Sequence, residues 1–263
     1  MVPSKRPRVP GELTPKGEQT RQRIVAAAAQ VMFDRSVAET TIEDVRAAAG
    51  VSSSQVYHYF KDKKALVQAV IEYHDQTIVG GQEPMLVTLD SLDALRAWRD
   101  FLVEHQEKLG CRGGCPIGSL GSELAETHNK ARILVAASFR RWEGAIRSGL
   151  RGMQARGELG SADPDELALA TLAALQGGLL LTQMQRSTRP LATALDAMLT
   201  LIAHEAARPA EALHPGADDP KAPSGAPAVS MSAGHPAHAD TASLWGSKRE
   251  PKNVRTHGLP AIE

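Results

Sequence analysis

The sequence predicts an all-α protein, with a small helix-turn-helix head and a larger helical body. Three observations carry this reading. Hydrophobic residues make up 42% of the 263 residues and aromatics only 4%, with Ala and Leu prominent. Such side chains lose little rotamer freedom in a helix. Apolar residues recur at helical spacing between residues 19 and 206, with no strand alternation and no internal repeat. Charge is uneven along a chain that is neutral overall. Residues 1–64 hold eleven Lys/Arg against seven acids, and the tail from 207 holds six of each. The body between them is therefore acidic, and a basic head on an acidic body turns one end toward phosphate.

Residues 1–17 set Pro3, Pro7, Pro10, Pro15 and Gly11 among basic residues and read as a disordered arm. Ile24, Ala27, Ala28, Val31 and Met32 mark a first helix over 19–33. Thr40 or Thr41 caps a short second helix ending at Gly50, with Glu43 and Asp44 favourably placed in its first turn. Ser52 caps a third through Tyr59, and Asp62 opens a long one to about Val79, interrupted by Gly80-Gly81. Later helices are expected over 91–108, 117–128, 130–156, 164–185 and 190–206. Pro164 and Pro190 stand where a first-turn proline is tolerated. Residues 207–263 hold eight of the sixteen prolines, cannot bury enough apolar area to order themselves, and read as a disordered tail with Trp245 as a lone anchor candidate.

Several classes are set aside. Two cysteines do not make a disulfide framework. Lys5, Arg6 and Arg8 are followed by no apolar run, so no signal peptide is expected. No stretch has the ~20 uninterrupted apolar residues of a membrane span, so a soluble, cytoplasmic protein without membrane contact is expected. Gly-rich phosphate loops, nucleophile elbows and metal-binding His pairs do not occur, and no enzyme, cofactor or metal is expected. Glu123 and Glu126 near His128 resemble an acid–base cluster, but helix surfaces often carry such sets. A thiol oxidoreductase on Cys111 and Cys115 would lack both Cys-x-x-Cys spacing and a βαβ pattern.

The informative stretch is 40–66, TTIEDVRAAAGVSSSQVYHYFKDKKAL. Ile42, Val45, Ala49, Val51, Val56 and Phe60 are spaced to form one core. A rigid second helix can then enter a major groove. Its outward residues are Ser53, Ser54, Gln55, Tyr57, His58 and Tyr59, suited to base edges, thymine methyls and phosphates. Lys61, Lys63 and Lys64 open the next helix, where cations and free N–H groups both favour phosphate. The bland alternatives are a core role for Tyr57 and Phe60, an idle His58 and a merely solvated lysine face.

Residues 19–70 resemble the DNA-binding domain of the tetracycline-repressor (TetR) family. The resemblance rests on Arg21-Gln-Arg-Ile24, Thr41-Ile-Glu-Asp-Val45, Ala49-Gly-Val-Ser52, Val56-Tyr-His-Tyr-Phe60, Lys61, Lys63 and Ala65-Leu66. Ser36 departs from it, standing where these proteins usually have Gly. The resemblance implies an Ω-shaped homodimer with a DNA-binding head at 18–64 and a ligand-binding and dimerisation body at 65–206. It implies phosphate contacts from Thr41, Tyr57 and Lys63, and base-facing slots at Ser53, Ser54, Gln55 and His58. DNA-contacting residues are thus expected at Thr41, Ser52–Gln55, Tyr57–Tyr59, Lys61, Lys63 and Lys64. Two heads would meet successive major grooves of a palindromic operator about 34–36 Å apart.

In the body, 164–185 is apolar on nearly every side, and Leu191, Leu195, Met198, Leu199 and Ile202 line one face of the next helix. A family dimer forms from two such helices, with Gly177-Gly178 allowing close approach to a partner or to ligand. A cavity for a small apolar effector is expected among Trp98, Phe101, Leu102, His105, Leu109, Cys115, Leu124, Phe139 and Trp142, each of which could equally be ordinary core. Gly114-Cys-Pro-Ile-Gly118 resembles a segment of one subset of these regulators. Cys115 would sit at a helix N-terminus with Arg112 nearby, both lowering a thiol pKa. A repressor released by ligand is the first expectation, and a redox- or electrophile-sensing repressor using Cys111 and Cys115 the alternative. A nonspecific architectural DNA-binding protein would need no cavity.

Overall fold

The structure, a computed structural model, describes residues 13–207. Most of the expected arm and almost all of the expected tail, with Trp245, lie outside the described residues. Those described form helices, turns and loops without a strand.

Helix α1 (Pro15–Arg35) starts earlier than composition suggests. Thr14 accepts a hydrogen bond from the Gly17 N–H at 3.0 Å, and Pro15 stands at the first helical position, where its missing N–H is not needed. Residues 15–17, assigned above to the arm, are therefore the first turn of α1. This helix buries Ile24, Val25, Ala28, Ala29 and Met32 and packs on α2 (Ile42–Ala49) and α4 (Lys63–His74). Thr41, not Thr40, caps α2 through a reciprocal bond pair with Asp44. Thr40 is buried and donates to the Ser36 carbonyl at 2.7 Å. Helix α3 (Ser53–Tyr59) is capped by Ser52. Of the core that the spacing predicts, Val45, Ala49, Val51, Val56 and Phe60 are buried, and Ile42 is partly buried against them.

Helix α4 starts at Asp62, which accepts from the Ala65 N–H at 2.7 Å. It buries Leu66, Val67, Val70 and Ile71 between α1 of the head and the body helices α7 (Pro116–Leu124) and α8 (Asn129–Ala155). Gly80 and Gly81 were expected to interrupt it. Gly80 instead keeps right-handed helical dihedrals, and the chain continues through a wide turn at Asp75–Val79 and a tight one at Gly80–Gln82 into α5 (Glu83–Leu86). The departure from regular α-helix begins at Asp75, whose carboxylate is held by Arg141 at 2.8 Å.

The body continues with α6 (Leu92–Lys108), α9 (Pro164–Gln185) and α10 (Arg189–Ala207). Helices α9 and α10 pack as a hairpin. A Cβ at Gly178 would lie 2.9 Å from Leu191 Cα, so this glycine serves contact within the chain, while Gly177 faces open space. Helix α9 is long and apolar enough to cross a membrane, contrary to the expectation that no stretch would be. Its charged residues fall outside the apolar window, and 44% of that window is buried in the protein, mostly against α8 and α10.

Two features of the head–body junction have consequences for stability. Ser36 ends α1 at φ +85° and ψ 158°, a region comfortable only for glycine. Replacing Ser36 by Gly should raise the free energy of unfolding by about 1 kcal/mol, read by chemical denaturation. No gain would show that the bond from the Glu39 N–H to the Ser36 hydroxyl, at 3.3 Å, matters more than the strain. His74 is buried beside Met32, Phe33 and Leu120, and burial holds its pKa down to about 4. An unfolded chain takes up this proton near pH 6.5 and the folded protein only near 4, so His74 costs stability as pH falls through that window. The loss approaches about 3 kcal/mol. The stability of His74→Gln should fall less than that of the wild type between pH 7 and 4.5, and parallel curves would contradict this.

Candidate nucleic-acid interface and ligand cavity

The capping bonds of α3 decide which groups it can offer. Ser52 accepts from the Gln55 N–H at 3.3 Å, and the Gln55 carboxamide oxygen accepts from the Ser52 N–H at 2.9 Å. Gln55 is therefore held by its oxygen, leaving its amide hydrogens to donate outward. Ser54, Tyr57 and His58 are exposed, and Tyr57 is 55% accessible. Ser53 is half-buried. Tyr59, expected to face outward, packs against the head core; its ring meets His58 edge-on at 4.9 Å. Its hydroxyl reaches α1, 3.6 Å from where a Cβ at Gly17 would lie. Phe60 is core, with Arg21 5.5 Å above its ring.

The three lysines divide. Lys61 and Lys64 are exposed. Lys63 is half-buried and donates to the Ala38 carbonyl at 3.3 Å, so it spans α4 and the turn between α1 and α2 rather than standing free. Thr41 is exposed, and its hydroxyl accepts from the Asp44 N–H at 3.1 Å. Asp44 in turn pairs with Arg35 at 3.1 Å.

That turn is also held from the body. The Glu123 carboxylate, in the last turn of α7, accepts from the Val37 N–H at 2.9 Å and the Ala38 N–H at 2.7 Å. From sequence alone Glu123 is only one of a surface set with Glu126 and His128. A signal was present: an acid near a helix C-terminus opposes the helix dipole and calls for a partner elsewhere.

A cavity of about 460 Å³ lies where head and body meet. It brings together Phe101, Leu102, His105, Leu109, Cys115 and Trp142 from the expected set, within the range of small-molecule sites. Trp98, Leu124 and Phe139 do not line it. Trp98 is core, and its indole N–H donates to Gln82 at 2.9 Å, thereby placing Gln82 in the cavity wall. Leu124 packs toward Val37 and Lys64, and Phe139 lines a separate recess beside Leu180 and Gln183. Residues that periodicity could not reveal complete the wall, including Gln30 and Phe33 from α1 of the head. Among the described residues, the Gln106 side-chain carboxamide oxygen and the Trp142 indole N–H are buried without a hydrogen-bond partner, and both residues line the cavity.

The Cys111–Pro116 loop closes one side. A Cβ at Gly113 would lie 2.3 Å from the Phe33 ring and would have to push it aside, and the φ of +86° there itself favours glycine. Both cysteines are free and buried. Cys115 does cap α7, accepting weakly from the Gly118 N–H at 3.4 Å. Its thiol pKa is nevertheless raised, because burial outweighs the pull of the Gly118 and Ile117 amides. The expected lowering is thereby overturned. Charge withdrawn from water costs more than two amides return.

Sequence and structure comparisons agree with this architecture. Residues 24–70 match the model of bacterial regulatory proteins of the tetR family, and 91–198 match that of the tetracyclin repressor-like C-terminal domain. The transcriptional regulator AcuR of Cereibacter sphaeroides is 26% identical over 72% of this chain and 88% of its own length. The transcriptional repressor DhaR of a Mycobacterium species is 26% identical over 69% and 89%. The crystal structure of a TetR transcriptional regulator from Chloroflexus aurantiacus superposes with a TM-score of 0.64 at 30% identity, covering 73% of this chain and 98% of that one. These relatives are regulators of transcription. With a helix-turn-helix head, a helical body and both family signatures in order, the chain belongs to the TetR family of transcription regulators.

Proposed function

We propose that the chain is a cytoplasmic homodimeric repressor that binds a palindromic operator and is released by a small, largely apolar ligand. The cavity carries this reading. Its wall is shared between Phe33 of the DNA-binding head and Phe101, Leu102, Trp142 and Leu179 of the body. A ligand filling it touches the head directly. Thr77 and Ile78, on the continuation of α4, also line it, so occupancy acts on α4 as well. A ligand shifts the head only as far as it binds the two arrangements with different affinity. The unpaired Gln106 oxygen and Trp142 N–H favour a ligand with at least one hydrogen-bonding group on an apolar frame.

Dimerisation is supported by the outer surface of the α9–α10 hairpin. Leu169, Leu180, Leu181, Met184 and Leu201 are all exposed there, which is costly for a helix facing only water. Repression is supported by DhaR, which is a repressor. Tyr57, His58, Ser54, Gln55 and Lys61 are the residues we assign to the DNA surface, with Thr41, Ser52, Ser53 and Lys64 at its margin. The thiol-switch alternative rests on Cys111 and Cys115, and the burial of both works against it.

Selection from random duplexes, followed by mobility-shift titration with and without hydrogen peroxide, tests this reading. The expected result is a two-fold symmetric sequence bound by a dimer, with half-sites about one helical turn apart and binding unaffected by oxidant. Enrichment of no sequence would overturn the operator reading. Oxidant-sensitive binding that is restored in Cys115→Ser would transfer the regulatory role to the thiol.

A further inference from the structure

We propose that the body contributes its own contact to the DNA backbone, through Lys130. A groove of about 400 Å³ separates the start of α4 from the start of α8, and Lys61, Lys64, His128 and Lys130 line it. Asp62 is the one acid among its described lining residues. Its carboxylate is turned to the Ala65 N–H at 2.7 Å, capping α4. His128 is tied by its ring nitrogen to the Thr127 hydroxyl at 2.9 Å. Glu123, in the neighbouring recess, is taken up by the Val37 and Ala38 amides. Among the described residues, the lysine charges are thus left uncompensated within the groove.

The groove is continuous with the recognition surface, because Lys61 directly follows α3 and its C-cap Phe60. Lys130 stands at the head-proximal end of α8. That helix has 27 residues and extends about 40 Å away from the head. Beyond its far end Arg156 pairs with Asp90. Phosphate runs along DNA as a ladder of regularly spaced charge, so a strand lying over Lys61 and Lys64 meets Lys130 next. The contact carries no base information. It does make DNA affinity depend on where the body sits relative to the head.

The test compares the salt dependence of binding to a mixed-sequence duplex for the wild type, Lys130→Gln and Arg151→Gln. Mixed-sequence DNA is held through phosphates, so the outcome does not depend on whether an operator or a ligand is found. Arg151 is on the same helix, about 30 Å further from the head, and pairs with Asp165, so Arg151→Gln controls for net charge. Lys130→Gln should lower the slope of log K against log salt by about 0.9 per subunit and weaken binding about tenfold or more at 0.1 M salt. Lys130→Arg should restore the slope, and Arg151→Gln should leave it unchanged. Lys130 is exposed, so its variants are expected to melt with the wild type. A Lys130→Gln slope equal to that of the wild type would overturn the proposal.

Discussion

One carboxylate and two backbone amides decide how the head of this protein meets its body. Apolar packing of α4 against α1, α7 and α8 supplies most of the cohesion, but the hydrophobic effect has no direction. A helix resting on apolar neighbours can tilt or slide at small cost. Hydrogen bonds to a charged acceptor are directional and about twice as strong as neutral ones. Glu123 makes two of them to consecutive residues of the turn before α2. Lys63 grips the carbonyl of the same turn from the other side. The helix-turn-helix is thereby registered to α7 of the body and to α4 of the head together.

This registration gives the cavity its leverage. Cys115 and Pro116, at the start of α7, line the cavity, and Glu123 stands at the other end of the same short helix. A displacement at one end of a nine-residue helix is felt at the other, since a helix this short moves as a rod. The Gly113 loop lies against Phe33, giving a second and shorter route from cavity to head. The burial that raises the Cys115 thiol follows from the same close packing.

Much of the head was legible because its determinants are local. Capping residues precede each short helix, Gly50 closes α2, and the apolar spacing defines one core from Val45 to Phe60. The boundaries of α6, α9 and α10 followed for the same reason. The ligand wall was only partly legible. Periodicity marks Trp98, Leu124 and Phe139 as inward-facing, but it cannot distinguish residues facing a cavity from those facing another helix. Gln30, Phe33 and Gln82 enter the wall through tertiary approach that no local pattern encodes. Helix position marks Tyr59 as outward and the family resemblance makes Lys63 a phosphate contact, whereas packing against the core and the Ala38 carbonyl draws them inward. The Cys115 thiol was misjudged because a helix terminus is visible in sequence and the depth of burial is not.

The most direct measurement is amide hydrogen exchange across residues 36–41 in the wild type and in Glu123→Ala. Losing a charged acceptor from two amides removes about 1.5–3 kcal/mol of local stabilisation per bond. Exchange at Val37 and Ala38 should therefore quicken at least tenfold, with the buried helices of the body still protected. If both amides exchange at the wild-type rate in the variant, the turn is held by packing alone, and Glu123 does not set the head upon the body.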